Sequence, residues 1–318
     1  MRRGTEGAQG PGDGGGNLML SAWRNLTAQQ RRDAKTGYLA LSPWMVGFVV
    51  FYAFPIIATI YFSFNEWTLA EPPTWVGLDN YVRMFTRDPL FVSSLKATTL
   101  FVIISLPTKL VLGLMLALLL NLKIPGMNAF RTIFFIPAVI SGVAVSLMWI
   151  WFLNPDTGVV NTLLSYFGIR GPLWFWDLHW ALPSVAIMSI WKVGGAAIIY
   201  LAGLQNIPAH LYEAAEIDGA SKWSRFWRIT LPLLTPTLFF QLIIELIDAF
   251  KIFTEAYVIT HGGPLKATYF FLYYFYEEAF RNANMGYASA LALFLLVVIM
   301  GCTVFVVRTS KGWVYYEN

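Results

Sequence analysis

Four ionisable residues, Glu245, Asp248, Lys251 and Glu255, recur three or four positions apart in a stretch of chain that is otherwise apolar. On a helix turning about 100° per residue they fall within an arc of roughly 120°, a polar stripe on an apolar rod. Carboxylates and an ammonium at this spacing do two kinds of chemistry. They bind a polar solute through charge-assisted hydrogen bonds, or they pair with each other, Asp248 with Lys251 or Lys251 with Glu255. In hydrocarbon either use demands a partner helix or a watery cavity, so the stripe fits a solute path and a packed ion-pair network equally. Lys192 poses the same choice beside Trp191 and the pair Gly194-Gly195, which permits close helix approach or local unwinding. Lys109 is a further isolated charge. Trp191, Phe250, Phe253 and Tyr257 supply aromatic faces near these charges, the kind of surface that recognises a sugar ring.

Other chemistries are excluded by what is missing. Cys302 is the single cysteine, and His179, His210 and His261 are far apart, so no disulfide or metal-ligand spacing arises. No GxxxxGK[ST] sequence cradles a phosphate. The chain is expected to be no enzyme, to hold no cofactor or metal, and to take its energy from an ion gradient or another subunit. A net charge of +4 comes without any basic-aromatic reader motif, so nucleic acid is not an expected partner.

The elements that position these residues follow from composition. Apolar residues make up 57% of the chain and charged residues 13%, too few to cover a soluble domain of 318 residues. The apolar residues gather in runs of roughly 20, the length that crosses about 30 Å of hydrocarbon. Six spans are expected: Leu39–Phe62, Thr98–Leu120, Thr132–Phe152, Pro183–Leu204, Leu231–Ile252 and Met285–Val307. No alternating pattern suggests a membrane barrel, so the fold class is an all-α membrane protein with six transmembrane helices. Residues 1–38, with the Gly-rich GAQGPGDGGG, form an uncleaved tail for which Met19 is an alternative start, and Trp23–Lys35 suits an interfacial helix or a solvated tail. Residues 39–94 hold the first span and an outer loop, 95–307 a five-helix core, and 308–318 a second tail. With both termini inside, thirteen Lys and Arg residues fall in inner segments and six in outer ones, satisfying the positive-inside rule. Trp174, Trp176 and Trp180 are then expected as interface anchors on the outer side, and His261-Gly262-Gly263-Pro264 as an outer turn.

Between the fourth and fifth spans, residues 208–230 interrupt the apolar pattern on the cytoplasmic side. Pro208 suits the first turn of a helix, HLYEAAEIDGA continues it, and Gly219 ends or bends it through positive φ. Ala214 and Ala215 would let another surface approach closely, and Glu213 is free to meet a basic group. Trp223, Phe226 and Trp227 then alternate with Lys222, Arg225 and Arg228, which suits a membrane surface. Pro232 and Pro236 fall in the first turns of the fifth span, where proline is tolerated.

The spacing Glu213-Ala214-Ala215, three residues, Gly219, nine residues, Ile229, one residue, Leu231-Pro232 matches the EAA motif of binding-protein-dependent ABC importer permeases. The resemblance extends over about 39–307. FRTIFFIPAVISGVAVSLMWIWFLNPDTGVVN, YLAGLQNIPAHLYEAAEIDGASKW and the HGGP to MGYASALA region resemble the sugar branch, and within it the first permease subunit of maltose, multiple-sugar and glycerol-phosphate systems. The outer loop of about Asn65–Ser94 is short beside that of the enterobacterial maltose subunit, so the shorter sugar permeases are the better match. The resemblance implies a type I importer fold in a prokaryotic plasma membrane and a cytoplasmic coupling helix around Glu213, Ala214, Ala215, Asp218 and Gly219, with Ile229, Leu231 and Pro232 completing the motif. It further implies a second permease, two ATPase subunits carrying ATP and Mg, an extracellular or periplasmic binding protein, and a sugar substrate. Two other classes share some of these features. A gradient-driven carrier also shows buried charges but has no need of the EAA segment. A membrane enzyme needs an acid with a partner, and Asp156 and Asp177, the only acids between the third and fourth spans, have none at a recognisable spacing.

Overall fold

The computed structural model describes residues 27–315. The Gly-rich tail, Met19, Trp23 and the last three residues lie outside the described residues. The chain divides into two compact units, Met1–Ala58 and Thr59–Asn318.

In the first unit, Thr27 caps α1 (Ala28–Phe48), its hydroxyl and the Gln30 side chain forming a reciprocal capping box. A π turn at Val49–Ala53 follows, then α2 (Phe54–Ser63), within which the division between the two units falls. The widened turn stands just before Pro55, whose ring would clash with the Phe51 carbonyl in a regular helix. No described residue from Ala28 to Ala53 is buried. Trp44, Phe48 and Tyr52 stack along one face, with ring centres 5.6 and 6.1 Å apart. A rod this apolar needs lipid or another subunit around it.

The second unit opens with a hairpin, β1 (Asn65–Glu66) antiparallel to β2 (Thr74–Trp75), and α3 (Asp79–Thr86). The expected outer loop is therefore structured, and the next helix, α4 (Pro89–Leu120), begins well before Thr98. Asp88 sets that start: its carboxylate accepts from the N–H groups of Leu90 and Phe91 at 2.8 and 3.2 Å, with Pro89 in the first turn. The expected third span is a broken pair, α5 (Met127–Val139) and α6 (Gly142–Phe152), bent by 100°. Pro137 thins the end of α5, and Ile140 and Ser141 are extended between the helices. After α7 (Val159–Tyr166), the fourth span is also a pair, α8 (Ala181–Ile190) and α9 (Gly194–Gln205), bent by 44°. Then come α10 (Ala209–Ile217), α11 (Lys222–Arg225), a π turn at Phe226–Thr230, α12 (Leu231–Phe250), α13 (Phe271–Tyr276) and α14 (Met285–Ser310). By length and composition, four helices among the described residues are able to cross a membrane, or up to six if each bent pair is one span.

α4 is the central rod, and α8, α9, α12 and α13 all pack on it. Small residues permit these approaches. A β-carbon on Gly113 of α4 would stand 3.2 Å from the Tyr200 ring of α9, and one on Gly203 of α9 would stand 2.5 Å from Thr237 Oγ1 of α12. Gly194 is the tightest of the α9 crossings, since its β-carbon would lie 1.8 Å from the Phe134 carbonyl oxygen of α5. Gly194→Ala is therefore expected to force the backbones apart at a cost of about 1–3 kcal/mol, read as a lower melting temperature and a broadened size-exclusion peak in mild detergent. A sharp peak with unchanged melting would show that α5 and α9 separate freely. Two apolar cores result, one around Phe101, Val145, Val185, Phe270, Phe271 and Leu291, the other around Ala117, Leu120, Ala197, Tyr200, Leu204 and Leu234.

Candidate functional site

The interruption between α9 and α12 is built as a self-contained turn. Pro208 stands at the cap position rather than inside the helix, with φ −61° and ψ 130°. At the other end Gly219 takes φ +74°, its N–H donates to Glu216 O at 3.0 Å, and the Ala220 N–H donates to Ala215 O at 2.9 Å. This paired closure is a Schellman motif, and only glycine enters its left-handed position without penalty. The Ser221 hydroxyl then caps α11 by accepting from the Ser224 N–H at 3.2 Å. Two side-chain ties fold the pieces together: Arg225 Nη1 to Glu216 Oε2 at 2.9 Å, and the hydroxyls of Tyr212 and Thr230 at 2.9 Å.

No residue of α10 is buried. Glu213, Ala214, Asp218 and Gly219 are exposed, Ala215 is half-buried, and Glu213 has no partner among the described residues. Ile217 is 88% exposed, an apolar side chain held out from the fold. Ile229 packs beside the second core, and Leu231 and Pro232 open α12. The motif residues from Glu213 to Gly219 thus form one exposed helix and its closure on a braced stem.

A second feature lies among α4, α8, α9 and α12. Here the expected polar stripe is shorter than anticipated, because α12 ends at Phe250 and Lys251 closes its last turn. The chain turns there to bury Ile252 in the first core, so Glu255 is not on the α12 face. Two adjoining cavities nevertheless gather most of the expected residues. One, of about 370 Å³, is lined by Lys109, Lys192, Asp248, Lys251, Phe253 and Glu255 among others. The other, of about 450 Å³, shares Lys109, Lys192 and Asp248 and adds Glu245 and Gln241.

Lys109 Nζ reaches Glu245 Oε2 at 3.1 Å, with about 16% and 15% of the two side chains exposed. Gln241 Nε2 donates to the other oxygen of Glu245 at 3.2 Å. Lys251 and Asp248 meet at 3.7 Å and are far more open, at 52% and 61%. Within the stripe, then, Glu245 is held in a largely buried pair while Asp248 stays accessible. Phe250 is packed into the first core, and Trp191 sits edge-on to Trp149 at 6.3 Å. Phe253 stacks on Tyr257 at 5.3 Å, and Tyr276 closes on both at 5.3 and 5.2 Å, making an aromatic patch beside the first cavity.

Sequence reasoning missed a polar cluster joining α3, α13 and α14. The hydroxyls of Tyr274 and Tyr287 both donate to Asp88 Oδ2. The Arg83 guanidinium lies 4.0 Å over the Tyr287 ring and 3.6 Å from the buried Glu278, which also accepts from Asn282 and Asn284. Asp88 followed by Pro89 ahead of a long apolar run was the available signal for its start. Burial pushes the Asp88 carboxyl up, but the two tyrosine hydroxyls and the N–H groups of Phe91 and Leu90 outweigh it and hold the group below the usual carboxylate range. A carboxyl lowered on folding stabilises above its unfolded value, about 3.9, and that contribution is lost as pH falls through the lower folded value. Asp88→Asn is expected to melt earlier at neutral pH and to lose less stability than the parent between pH 5 and the acid limit, as followed by thermal unfolding in detergent. Parallel curves for the two proteins would remove Asp88 from the acid response.

Trp174 also departs from expectation. It is buried, and its indole N–H donates to Asn161 Oδ1 at 2.7 Å, so it braces the loop from inside. Trp176 and Trp180 are exposed. The turn at His261–Pro264 is present, with His261 and Gly262 at φ 48° and 79°.

A family model described as "Binding-protein-dependent transport system inner membrane component" matches residues 109–311. The chain is 41% identical over 292 residues to the protein named "Probable ABC transporter permease protein YesP" of Bacillus subtilis (strain 168), covering 91% of this chain and 94% of that one. It is 34% identical over 295 residues to the trehalose/maltose transport system permease protein MalF of Thermococcus litoralis, covering 90% and 98%. Among solved structures, one titled as a bacterial alginate ABC transporter in complex with an alginate pentasaccharide-bound periplasmic protein superposes with a TM-score of 0.78 at 29% identity, covering 88% of this chain and 95% of that chain.

Proposed function

The chain belongs to the family of binding-protein-dependent transport system inner membrane components, and from that premise we propose that it forms one side of the translocation path of an ATP-driven sugar importer. Its relatives are permease subunits of ABC transporters and not enzymes, with ATP hydrolysed by separate subunits. The sugar reading draws on the trehalose/maltose and alginate systems that those relatives name. In this reading six spans cross a prokaryotic plasma membrane with both termini inside, each bent pair counting as one span. A second permease supplies the facing wall, two ATPase subunits hold ATP and Mg, and a binding protein outside the membrane delivers the sugar.

The observation that carries the proposal is the exposed α10 on its braced stem. Glu213, Ala214, Ala215, Asp218 and Gly219 form the surface an ATPase subunit grips, and Ile229, Leu231 and Pro232 link that grip to α12. Movement of the ATPases then passes along α12 to Glu245 and Asp248 at the cavities, a two-state element biased from both ends. Lys192, Asp248, Lys251, Phe253, Glu255 and Tyr257 are the residues this reading assigns to the path, with Glu245, Trp191 and Phe250 supporting them from behind.

Purification from the native membrane in mild detergent, with mass spectrometry of what accompanies the chain, tests the assembly. A P-loop ATPase, a second permease and an exported binding protein are expected. Recovery of the chain alone, with uptake that persists without ATP, would leave a gradient-driven carrier. On the path side, Asp248→Asn is expected to raise the half-saturating sugar concentration about tenfold, the loss of a charged hydrogen bond, with assembly intact. Lost assembly with unchanged affinity would make Asp248 a packing residue.

A further inference from the structure

One end of the helix bundle is ringed by cations. Leu120, Leu204 and Leu234 share the second core with Ile229 packed beside them, so the ends of α4 and α9 meet the start of α12 there. The end of α14 joins them: the Tyr315 N–H donates to Thr235 Oγ1 at 2.9 Å, and Trp313 stands edge-on to Phe239 at 6.2 Å. Lys123, Lys222, Arg228, Arg308 and Lys311 lie exposed around this end, and none of them is in an ion pair among the described residues. The acids of the stem are Glu213, Glu216 and Asp218, all on α10 or its closure, and Glu216 is already engaged by Arg225.

Aromatic rings stand among these cations. Between Lys222 and Arg228, Trp223 packs on Phe226 and Trp227 at 6.1 and 5.6 Å, and Phe226 on Trp227 at 5.4 Å. Trp223 and Trp227 are nevertheless 70% and 50% exposed. Lys222–Phe250 is one helix of 29 residues. At 1.5 Å per residue it is about 43 Å long, whereas about 30 Å of hydrocarbon takes roughly 20 residues. The surplus falls at 222–230, because the apolar run opens at Leu231. Exposed indoles interleaved with cations, where a membrane helix leaves hydrocarbon, match the headgroup layer.

We propose that this segment is a docking surface for anionic phospholipid headgroups, with Lys222 and Arg228 on the phosphates and Trp223 and Trp227 in the boundary beneath them. The distribution of charge favours lipid over a protein. A subunit that grips α10 covers one helix, whereas the free cations are spread over the end of α4, the stem and the end of α14, a ring that a flat anionic sheet meets all at once. The docked segment is also the one that holds α10, through Arg225 with Glu216 and Tyr212 with Thr230. Headgroups that fix the segment therefore fix the face that α10 presents, and anionic lipid tunes the coupling. The headgroup contact stands without the importer reading; its effect on coupling rests on that reading.

The protein purified in mild detergent, with the subunits that accompany it, is incubated with equal amounts of phosphatidylglycerol and phosphatidylcholine. Native mass spectrometry then reads the lipid retained. Phosphatidylglycerol is expected to be retained in preference, and Lys222→Gln with Arg228→Gln to weaken that preference about fivefold for each cation removed. Lys96→Gln with Arg170→Gln removes the same charge elsewhere and is expected to leave it unchanged. Equal retention of the two lipids, or an equal loss in both double variants, would overturn the contact. Loss of ATPase subunits from the Lys222/Arg228 variant would give these cations to a protein surface and overturn it as well. In liposomes, uptake by the parent is expected to rise with phosphatidylglycerol content and that of the Lys222/Arg228 variant to lose this dependence. Uptake indifferent to phosphatidylglycerol would overturn the effect on coupling. If no sugar is carried in any liposome, the importer reading falls, while the retained lipid still decides the headgroup contact.

Discussion

Valine at Gly219 is expected to abolish ATP-driven uptake while the protein still inserts and folds. The residue sits at φ +74°, where a side chain costs about 1–2 kcal/mol and a β-branched one more. That cost falls on the closure of α10, which buries nothing, so the cores are spared. A β-carbon there meets nothing within 4 Å, so the chain itself raises no steric objection. Gly219→Asn separates two causes, because asparagine tolerates the left-handed region. If asparagine supports uptake and valine does not, the closure geometry is what matters. If both fail, an outside surface approaches too closely for any side chain. Glu213→Arg completes the set: Glu213 is exposed and has no partner among the described residues, so reversal should leave folding alone and still uncouple ATP hydrolysis from uptake. Normal transport by Gly219→Val and Glu213→Arg together would end the coupling role of α10.

The second large effect belongs to Lys109 and Glu245. Removing one member of a largely buried pair leaves an uncompensated charge, at a cost of about 3–5 kcal/mol, whereas replacing both by apolar residues of similar volume is close to neutral. Lys109→Met and Glu245→Leu are each expected to unfold or aggregate on mild heating in detergent, and the double variant to regain most of the lost melting temperature. Singles that melt like the parent would show that water reaches the pair freely. A double variant that is stable but inactive would give the pair a part in transport as well as in packing.

What was legible in the sequence was local. Gly219 closes α10 within a few residues of where it acts, and Asp88-Pro89 does the same at the start of α4, although the sequence reading passed over it. The apolar runs marked out the long helices and the bent pairs, because hydrocarbon thickness sets the length of such runs. Contacts between distant segments were not legible. Lys109 was visible as an isolated charge and Glu245 as part of the polar stripe, but 136 positions separate them and only the packing of α12 on α4 joins them. The polar stripe failed beyond Phe250 for a related reason. A helical period extrapolates only while the helix continues, and burying Ile252 ended it. Trp174 carried an anchor's composition, yet its indole found Asn161 within its own loop.

The π turn at Phe226–Thr230 has a consequence for how orientation is inherited. A five-residue turn is a regular helix with one residue inserted, so it shifts the angular phase of everything before it by about 100° relative to α12. With α11 continuous into that turn, and α10 tied to the stem through Arg225–Glu216 and Tyr212–Thr230, the exposed face of α10 is indexed to α12 like a key cut at a fixed angle. Its direction is set in whole-residue steps. A one-residue deletion in this turn would leave every side chain of α10 intact and turn the key away from its lock.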